Sequence, residues 1–367
     1  MKFVIFGLSI TSAWGNGHAS TYRALARALH GRGHRVVFFE HDLEWYRDNR
    51  DLPHPDFCEL RLFESWRRTV PAVRRELRDA DVAIVGSYFP DAIAAAREVL
   101  DSAVAVKAFY DIDTPITLAA LRKRGEAEYL RAADLPGFDL YLSFTGGPVL
   151  GELQEKFGAR LAAPLYCSFD PSEYRPRPHS RRYACDLSYM GTYAPDRQPK
   201  LEQLLFAPAR GLPHAKFLVA GPQYPKAVRW PGNVRRIVHL NPRWHPLFYS
   251  SSRITLNLTR RDMVQAGWSP SVRLFEAAAC GAPIASDAWP GLDTFFVPGR
   301  EILLPASGDD VARTITQMDD SELRRIGDAA RERVLSEHTS AHRALELERL
   351  VERVHGRGRA RRQSVAS

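Results

Sequence analysis

Cysteine is scarce in this chain: Cys58, Cys167, Cys185 and Cys280 are the only four in 367 residues. No two have the spacing of a zinc knuckle or a redox pair. So few thiols do not make a disulfide framework, and a reducing compartment fits best. Long apolar runs are missing too. No stretch approaches the ~20 apolar residues of a membrane-spanning helix, so no integral membrane contact is expected. The opening Lys2-Phe3-Val4-Ile5-Phe6-Gly7 is apolar but short, and it runs into Trp14-Gly15-Asn16-Gly17-His18. It lacks the longer apolar core of a secretion signal, which makes a cytoplasmic protein the expectation. A dense basic run is absent except at Arg357, Arg359, Arg361 and Arg362. That run reads as a frayed, solvated end, so the formal net charge of +8 does not point to a nucleic-acid partner.

The remaining composition is that of a globular protein, with 45% hydrophobic and 26% charged residues. Single cores stop growing near ~250–300 residues, so two domains are expected. The first half alternates short β-rich runs with helical patterns. Strands are predicted at Phe3–Phe6, Val36–Phe39, Val82–Val85, Val104–Phe109 and Leu140–Leu142. Tyr22, Leu25, Ala26 and Leu29 form one apolar helix face, and Gly31 and Gly33 stop that helix. Further helices are predicted near Trp66–Leu77, Asp91–Leu100, Thr117–Lys123 and Val149–Phe157. Pro171, Pro176 and Pro178 mark a linker over 169–184. The pattern then restarts, with strands at Leu187–Met190, Phe217–Val219, Ile237–Val238, Ile254–Leu256, Pro283–Ala285 and Ile302–Leu304. Helices at Glu322–Leu335 and Ala341–Val354 complete it. Repeated strand–helix–strand units imply parallel sheets with helices on both faces. The fold class is therefore α/β, with two doubly wound, Rossmann-like domains over 1–168 and 185–340, then a C-terminal helix and basic tail over 341–367. Ligands of such sheets bind beyond the carboxyl ends of the strands.

The strongest local signal is Ser269-Pro270-Ser271-Val272-Arg273-Leu274-Phe275-Glu276-Ala277-Ala278-Ala279-Cys280-Gly281-Ala282-Pro283. Ser269 followed by Pro270 predicts a helix start. The backbone N–H groups of Ser271, Val272 and Arg273 would then carry the positive end of the helix dipole, which suits a phosphate. Glu276 lies roughly 7–8 Å further along the axis, a fitting reach to a ribose. On an otherwise apolar helix its carboxylate needs a partner. That partner is either the ribose or Arg273 one turn away.

This stretch resembles the donor-site motif of GT-B glycosyltransferases, in the branch similar to spore-maturation protein CgeB. Phe109-Tyr110-Asp111-Ile112-Asp113-Thr114-Pro115, Ser143-Phe144-Thr145-Gly146-Gly147-Pro148, Gly191-Thr192-Tyr193, Ala220-Gly221-Pro222-Gln223-Tyr224-Pro225 and Leu256-Asn257-Leu258-Thr259-Arg260 agree with it. The resemblance spans roughly residues 1 to 350. It implies two Rossmann-like domains facing across a cleft and transfer of a sugar from a nucleoside-diphosphate sugar. The acceptor is unspecified (a small molecule, glycan or protein), and the mechanism leans toward retention of configuration. It implies no metal and no cofactor beyond the donor as co-substrate. Many relatives carry a second glutamate eight positions before the one matched by Glu276, where this chain has Trp268. A nucleotide-sugar epimerase and a non-catalytic nucleotide-sugar-binding protein are the competing readings.

The other loops carry the remaining candidates. Gly191, Thr192 and Tyr193 end the first strand of the second half, and a glycine there admits a phosphate close to the backbone. Arg197 is either a diphosphate clamp or a surface arginine. Gly221 lies either near the base or ribose or in an ordinary turn. In the first half, Asp111 and Asp113 follow a strand and either meet the acceptor or shape a turn. His18 starts the first long helix. It is read as a sugar-holding group, with general base second and a helix-start role as the alternative. Gly15-Asn16-Gly17-His18 is no dinucleotide fingerprint, because Ser20 replaces the third glycine and the loop is too long.

Overall fold

A computed structural model describes residues 1–15 and 17–366, with the side chains of 357–366 outside the description. The chain divides into two compact units, Met1–Tyr166 with Ser340–Ser367, and Cys167–Thr339.

In the first unit the strands are β1 (Lys2–Phe6), β2 (Arg35–His41), β3 (Glu59–Phe63), β4 (Val82–Gly86), β5 (Val106–Asp111), a small hairpin β6 (Glu126–Ala127) and β7 (Leu130–Arg131), β8 (Leu140–Ser143) and β9 (Ala162–Pro164). Seven of them form a sheet ordered β3-β2-β1-β4-β5-β8-β9. Every pairing in it is parallel. β1 and β4 are apolar almost throughout and buried at every position, as strands covered on both faces must be. The helices are α1 (His18–Gly31), α2 (Glu44–Arg47), α3 (Trp66–Arg78), α4 (Ala92–Leu100), α5 (Thr114–Arg124) and α6 (Pro148–Glu155). α1 buries Tyr22, Leu25, Ala26 and Leu29, the face its spacing predicts. It ends at Gly31, and Gly33 follows with φ of 83°, which a side chain would resist.

The second unit has β10 (Cys185–Met190), β11 (Phe217–Ala220), β12 (Val234–Ile237), β13 (Ser252–Asn257) and β14 (Ile284–Ser286). They form a parallel sheet ordered β12-β11-β10-β13-β14. Its helices are α7 (Gln198–Leu201), α8 (Ala207–Gly211), α9 (His245–Ser250), α10 (Arg261–Ala266), α11 (Val272–Ala279), α12 (Gly308–Gln317) and α13 (Asp320–Glu337). Leu187, Tyr189, Leu205, Phe206, Phe217, Ile254 and Leu256 share one core. Finally α14 (Ser340–Ala366) returns to the first unit. There Ala344, Leu347 and Val351 are buried, and Glu348 takes two bonds from Arg32 at 2.6 Å and one contact from His34 at 2.6 Å.

Several sequence expectations need correction. β3 and β9 were not anticipated: β3 carries Glu59 and Arg61 among its apolar residues, and β9 has only three residues. The strand expected at Ile237–Val238 lies earlier, at Val234–Ile237. Ile302–Leu304 makes only isolated bridges, Ile302 to Pro298 and Leu303 to Ala285. The backbone of the basic tail is helical through Ala366 rather than frayed. Asn16 lies outside the described residues. No helix among the described residues is long and apolar enough to cross a membrane.

Candidate functional site

Each sheet reverses its strand order once, between β1 and β4 in the first unit and between β10 and β13 in the second. Loops at the carboxyl ends of those strands diverge and leave a crevice. The candidate residues gather at both places.

In the second unit, β10 runs into Gly191. A side chain there would strike Tyr189 Oη at 2.5 Å and the Arg273 guanidinium at 3.3 Å. Gly221, with φ of 157°, presses still closer: a Cβ on it would lie 2.0 Å from the Gly191 carbonyl oxygen. Tyr224 Oη donates to that same oxygen at 3.2 Å. The Tyr193 ring packs edge-on against Tyr224 with centroids 5.5 Å apart, and its N–H donates to the Pro222 carbonyl at 3.0 Å. Two bare glycines and two tyrosines thus form one wall.

Arginines line it. Arg197 donates to the Thr192 carbonyl at 2.5 Å, and Arg273 makes a long contact of 3.4 Å with the Leu258 carbonyl. Arg260 lies 3.7 Å from Asp196. The Nε atoms of Arg197, Arg260 and Arg273 are all buried without a hydrogen-bond partner. Burial lowers the pKa of Arg197, and the positive charges of Arg273 and Arg260 lower it further. These positive charges repel one another, and only Arg260 has a carboxylate, Asp196, within 4 Å among the described residues. The nearby Lys200 is engaged with Asp287.

Helix α11 starts two residues later than its sequence suggests. Ser271 is the N-cap and Val272 the first helical residue, while buried Ser269 belongs to the preceding loop. Ser271 Oγ does not cap the helix; it donates to Asn257 Oδ1 at 2.7 Å. Pro270 therefore shapes the approach to the helix rather than its first turn. Arg273 remains in the first turn, and its charge adds to that of the helix end.

Glu276 is 3% exposed. Burial pushes its pKa up to about 7, against the opposing pull of a hydrogen bond from Tyr174 and the charge of Arg273. Its hydrogen-bond partner is thus Tyr174, not the Arg273 ion pair. Tyr174 Oη also lies 3.4 Å from His245 Nδ1. Trp268 stands beside this loop in the left-handed region, with φ of 42°.

In the first unit, His18 opens α1 and is 9% exposed. Its Nδ1 is buried without a hydrogen-bond partner among the described residues, and burial lowers its pKa to about 4. Its ring meets Tyr88 edge-on, with centroids 5.3 Å apart. Tyr88, just past β4, has φ of 61°, a strained backbone for a tyrosine. Its hydroxyl bonds Asp113 and Tyr129. Tyr129 Oη reaches Thr117 Oγ1 at 2.8 Å, and Thr117 in turn donates to Asp111 at 2.9 Å. Tyr141 Oη donates to Asp111 at 2.5 Å. One polar network therefore joins Asp113 to Asp111 through Tyr88, Tyr129 and Thr117, and the His18 ring packs on its Tyr88 end. Asp111 itself has no exposed surface, and burial raises its pKa to about 6. Of the two carboxylates, the half-buried Asp113 is the one a ligand can reach.

Arg260, Tyr174 and Tyr88 were not singled out from sequence. Arg260 ends a quoted motif and its charge was a usable signal. The other two had none. Among the described residues, no group of three or more His, Cys, Asp or Glu side chains could hold a metal ion.

Residues 197–349 match a family model described as glycosyl transferase-like. No curated protein matches the chain in a sequence search. Among solved structures, the chain is similar to sucrose-phosphate synthase from Thermosynechococcus elongatus, with a TM-score of 0.70 and 14% identity over 97% of this chain and 99% of that one. It is similar to HepE of Anabaena in complex with UDP and glucose, with a TM-score of 0.68 and 12% identity over 96% and 99%. It is also similar to an α-glucosyltransferase in complex with UDP-glucose and DNA containing an abasic site, with a TM-score of 0.66 and 12% identity over 96% and 98%. The fold is GT-B, with two Rossmann-like domains, and a glycosyl transferase-like domain lies within it.

Proposed function

We propose that this chain is a glycosyltransferase of the CgeB-like branch that moves a sugar from a nucleoside-diphosphate sugar to a hydroxyl-bearing acceptor. The observation that carries the reading is the cluster of Arg197, Arg260 and Arg273 by the Gly191 wall, in which Arg197 and Arg273 have no carboxylate within 4 Å among the described residues and only Arg260 reaches one, Asp196 at 3.7 Å. A diphosphate has the charge and the acceptor oxygens this trio lacks. Glu276 would take the ribose hydroxyls. The structurally similar proteins solved with UDP or UDP-glucose support a donor of that class.

The arginines and the end of α11 would stabilise the leaving diphosphate, a task that otherwise falls to a divalent cation. We propose metal-independent transfer on that ground, with configuration retained as the motif around Glu276 implies. His18, held neutral by its burial, would bond a sugar hydroxyl rather than act as an acid. Asp113 would meet the acceptor. Trp268 offers the sugar an aromatic face where relatives offer a carboxylate.

The test is calorimetric titration with UDP, GDP, ADP, CMP and dTDP-glucose, followed by a product assay on whichever donor binds. Release of the nucleoside diphosphate with transfer or slow hydrolysis of the sugar supports a transferase. An isomerised nucleotide-sugar would establish the epimerase reading, and binding without turnover the non-catalytic one.

A further inference from the structure

Helix α3 has two unlike faces. Its inner face is apolar: Val73 and Leu77 are buried, and the Trp66 ring packs on Phe6 at 6.0 Å and Phe63 at 5.8 Å. Its exposed positions are Arg67, Arg68, Pro71, Arg74, Arg75 and Arg78. Their spacing places them on one stripe, roughly 16 Å long at 1.5 Å per residue. Arg74 pairs with Glu98 at 2.7 Å. Arg67, Arg68, Arg75 and Arg78 have no carboxylate partner among the described residues. The nearby acids are engaged elsewhere: Glu76 is buried against Lys2 and Arg61, Asp79 pairs with Lys2, and Glu59 with Arg35. Like charges one helical turn apart repel, so this stripe is uncompensated on the isolated protein.

We infer that the arginine stripe of α3 is a docking face for an anionic lipid surface. Guanidinium groups are weakly hydrated and fork onto phosphate oxygens, which suits a plane of phosphate headgroups. No aromatic or amide side chain interleaves the arginines, so the stripe carries none of the stacking or base-reading groups of a specific nucleic-acid surface. The apolar face of α3 is spent on its own sheet, so nothing is left to insert into the acyl layer. Adsorption is therefore electrostatic, each arginine adding roughly fivefold to the partition coefficient at low salt. The net charge of +8 works in the same direction. This inference does not depend on the sugar-transfer reading.

Co-sedimentation of the full chain with phosphatidylcholine vesicles, with and without phosphatidylserine, tests it. Binding only to the anionic vesicles is expected. The variant R67Q/R68Q/R75Q/R78Q, with unchanged circular dichroism and Tm, should bind about 600-fold less tightly at low salt. Salt of about 0.5 M should release the wild type. A milder pair separates the face from net charge: R75Q/R78Q should lose binding, whereas K123Q/R124Q, at the end of α5, should not. Equal loss in the two pairs overturns the proposal, as does binding that ignores phosphatidylserine or survives high salt. Displacement by duplex DNA through the same four arginines would overturn it in favour of a nucleic-acid surface.

Discussion

Trp268 rests on Gly291: a Cβ placed on that glycine would come within 2.5 Å of three indole atoms. Gly291 also holds φ of 83°, and the Trp268 N–H donates to the neighbouring Pro290 carbonyl at 2.7 Å. The loop entering α11 is therefore shaped by a glycine more than twenty positions downstream. Gly291→Ala should push the indole out and shift Ser269 and Ser271. Overpacking of this kind costs about 1–3 kcal/mol of stability. We expect donor affinity to fall at least tenfold in calorimetry, while a Trp268→Phe variant binds nucleotide nearly normally.

Glu276 makes stability depend on pH in an unusual direction. Its pKa is about 7 when folded, against an ordinary 4.5. Between those values the folded state binds the extra proton, so stability falls as pH rises from about 4.5 to about 7 and levels off above. Glu276→Gln should abolish this slope and make the unliganded protein roughly 3 kcal/mol more stable at pH 8 than wild type. The same variant should weaken nucleoside-diphosphate binding by about 1.5–3 kcal/mol, through loss of a charge-assisted bond. Urea unfolding at several pH values, with and without nucleotide, reads both effects.

The arginine trio predicts a conflict between stability and binding. Arg273→Met removes a charge that repels Arg197, and it forfeits a 3.4 Å contact and an attraction to Glu276, which can stay protonated. The unliganded Tm should hold or rise, while affinity for the diphosphate drops by about 1.5–3 kcal/mol and affinity for the bare nucleoside is unchanged. Turnover of the wild type should survive excess EDTA. A strict divalent-cation requirement would contradict the assignment of the leaving-group charge to these arginines.

His18 and Asp113 separate binding from transfer. Asp113→Asn and His18→Ala should each leave nucleoside-diphosphate affinity intact and reduce transfer ~10²-fold or more. With a folded pKa of about 4 against 6.5 unfolded, His18 loses stability for the fold as pH drops from 6.5 to 4. It stays neutral above that range, so no limb of the pH–rate profile near 6.5 should belong to it. A limb there that vanishes in His18→Gln would show that the imidazole titrates during turnover.

Most of the architecture was legible because it rests on local patterns. Buried strands such as β1 and β4 are continuous apolar runs, and α1 shows its inner face in its spacing. β3 was hidden because it is an edge strand whose Glu59 and Arg61 pair with Arg35 and Glu76. Arg273, Glu276 and Gly191 could be named from their positions at helix and strand ends. The start of α11 was misjudged because a Ser-Pro pair satisfies the local capping rule, whereas Ser271 answers to Asn257 on another strand. Tyr174 and Glu276 are partners across a long span of chain, which no spacing encodes. The strained φ of Tyr88 is likewise set by its surroundings: His18, Asp113 and Tyr129 come from three different segments.

The return of α14 to the first unit bears on how the protein is made. A ribosome delivers β1 through β9 first, yet the helix that covers Arg32 and His34 with Glu348 emerges only after the whole second unit. The second unit, continuous in sequence, can close while the first still lacks its final layer. Apolar surface awaiting Ala344, Leu347 and Val351 stays open while the second unit is being made. Emergence of α14, rather than completion of the first sheet, is then the event that finishes the first unit. A message truncated before Ser340 should yield a nascent chain whose second half resists protease and whose first half recruits chaperones.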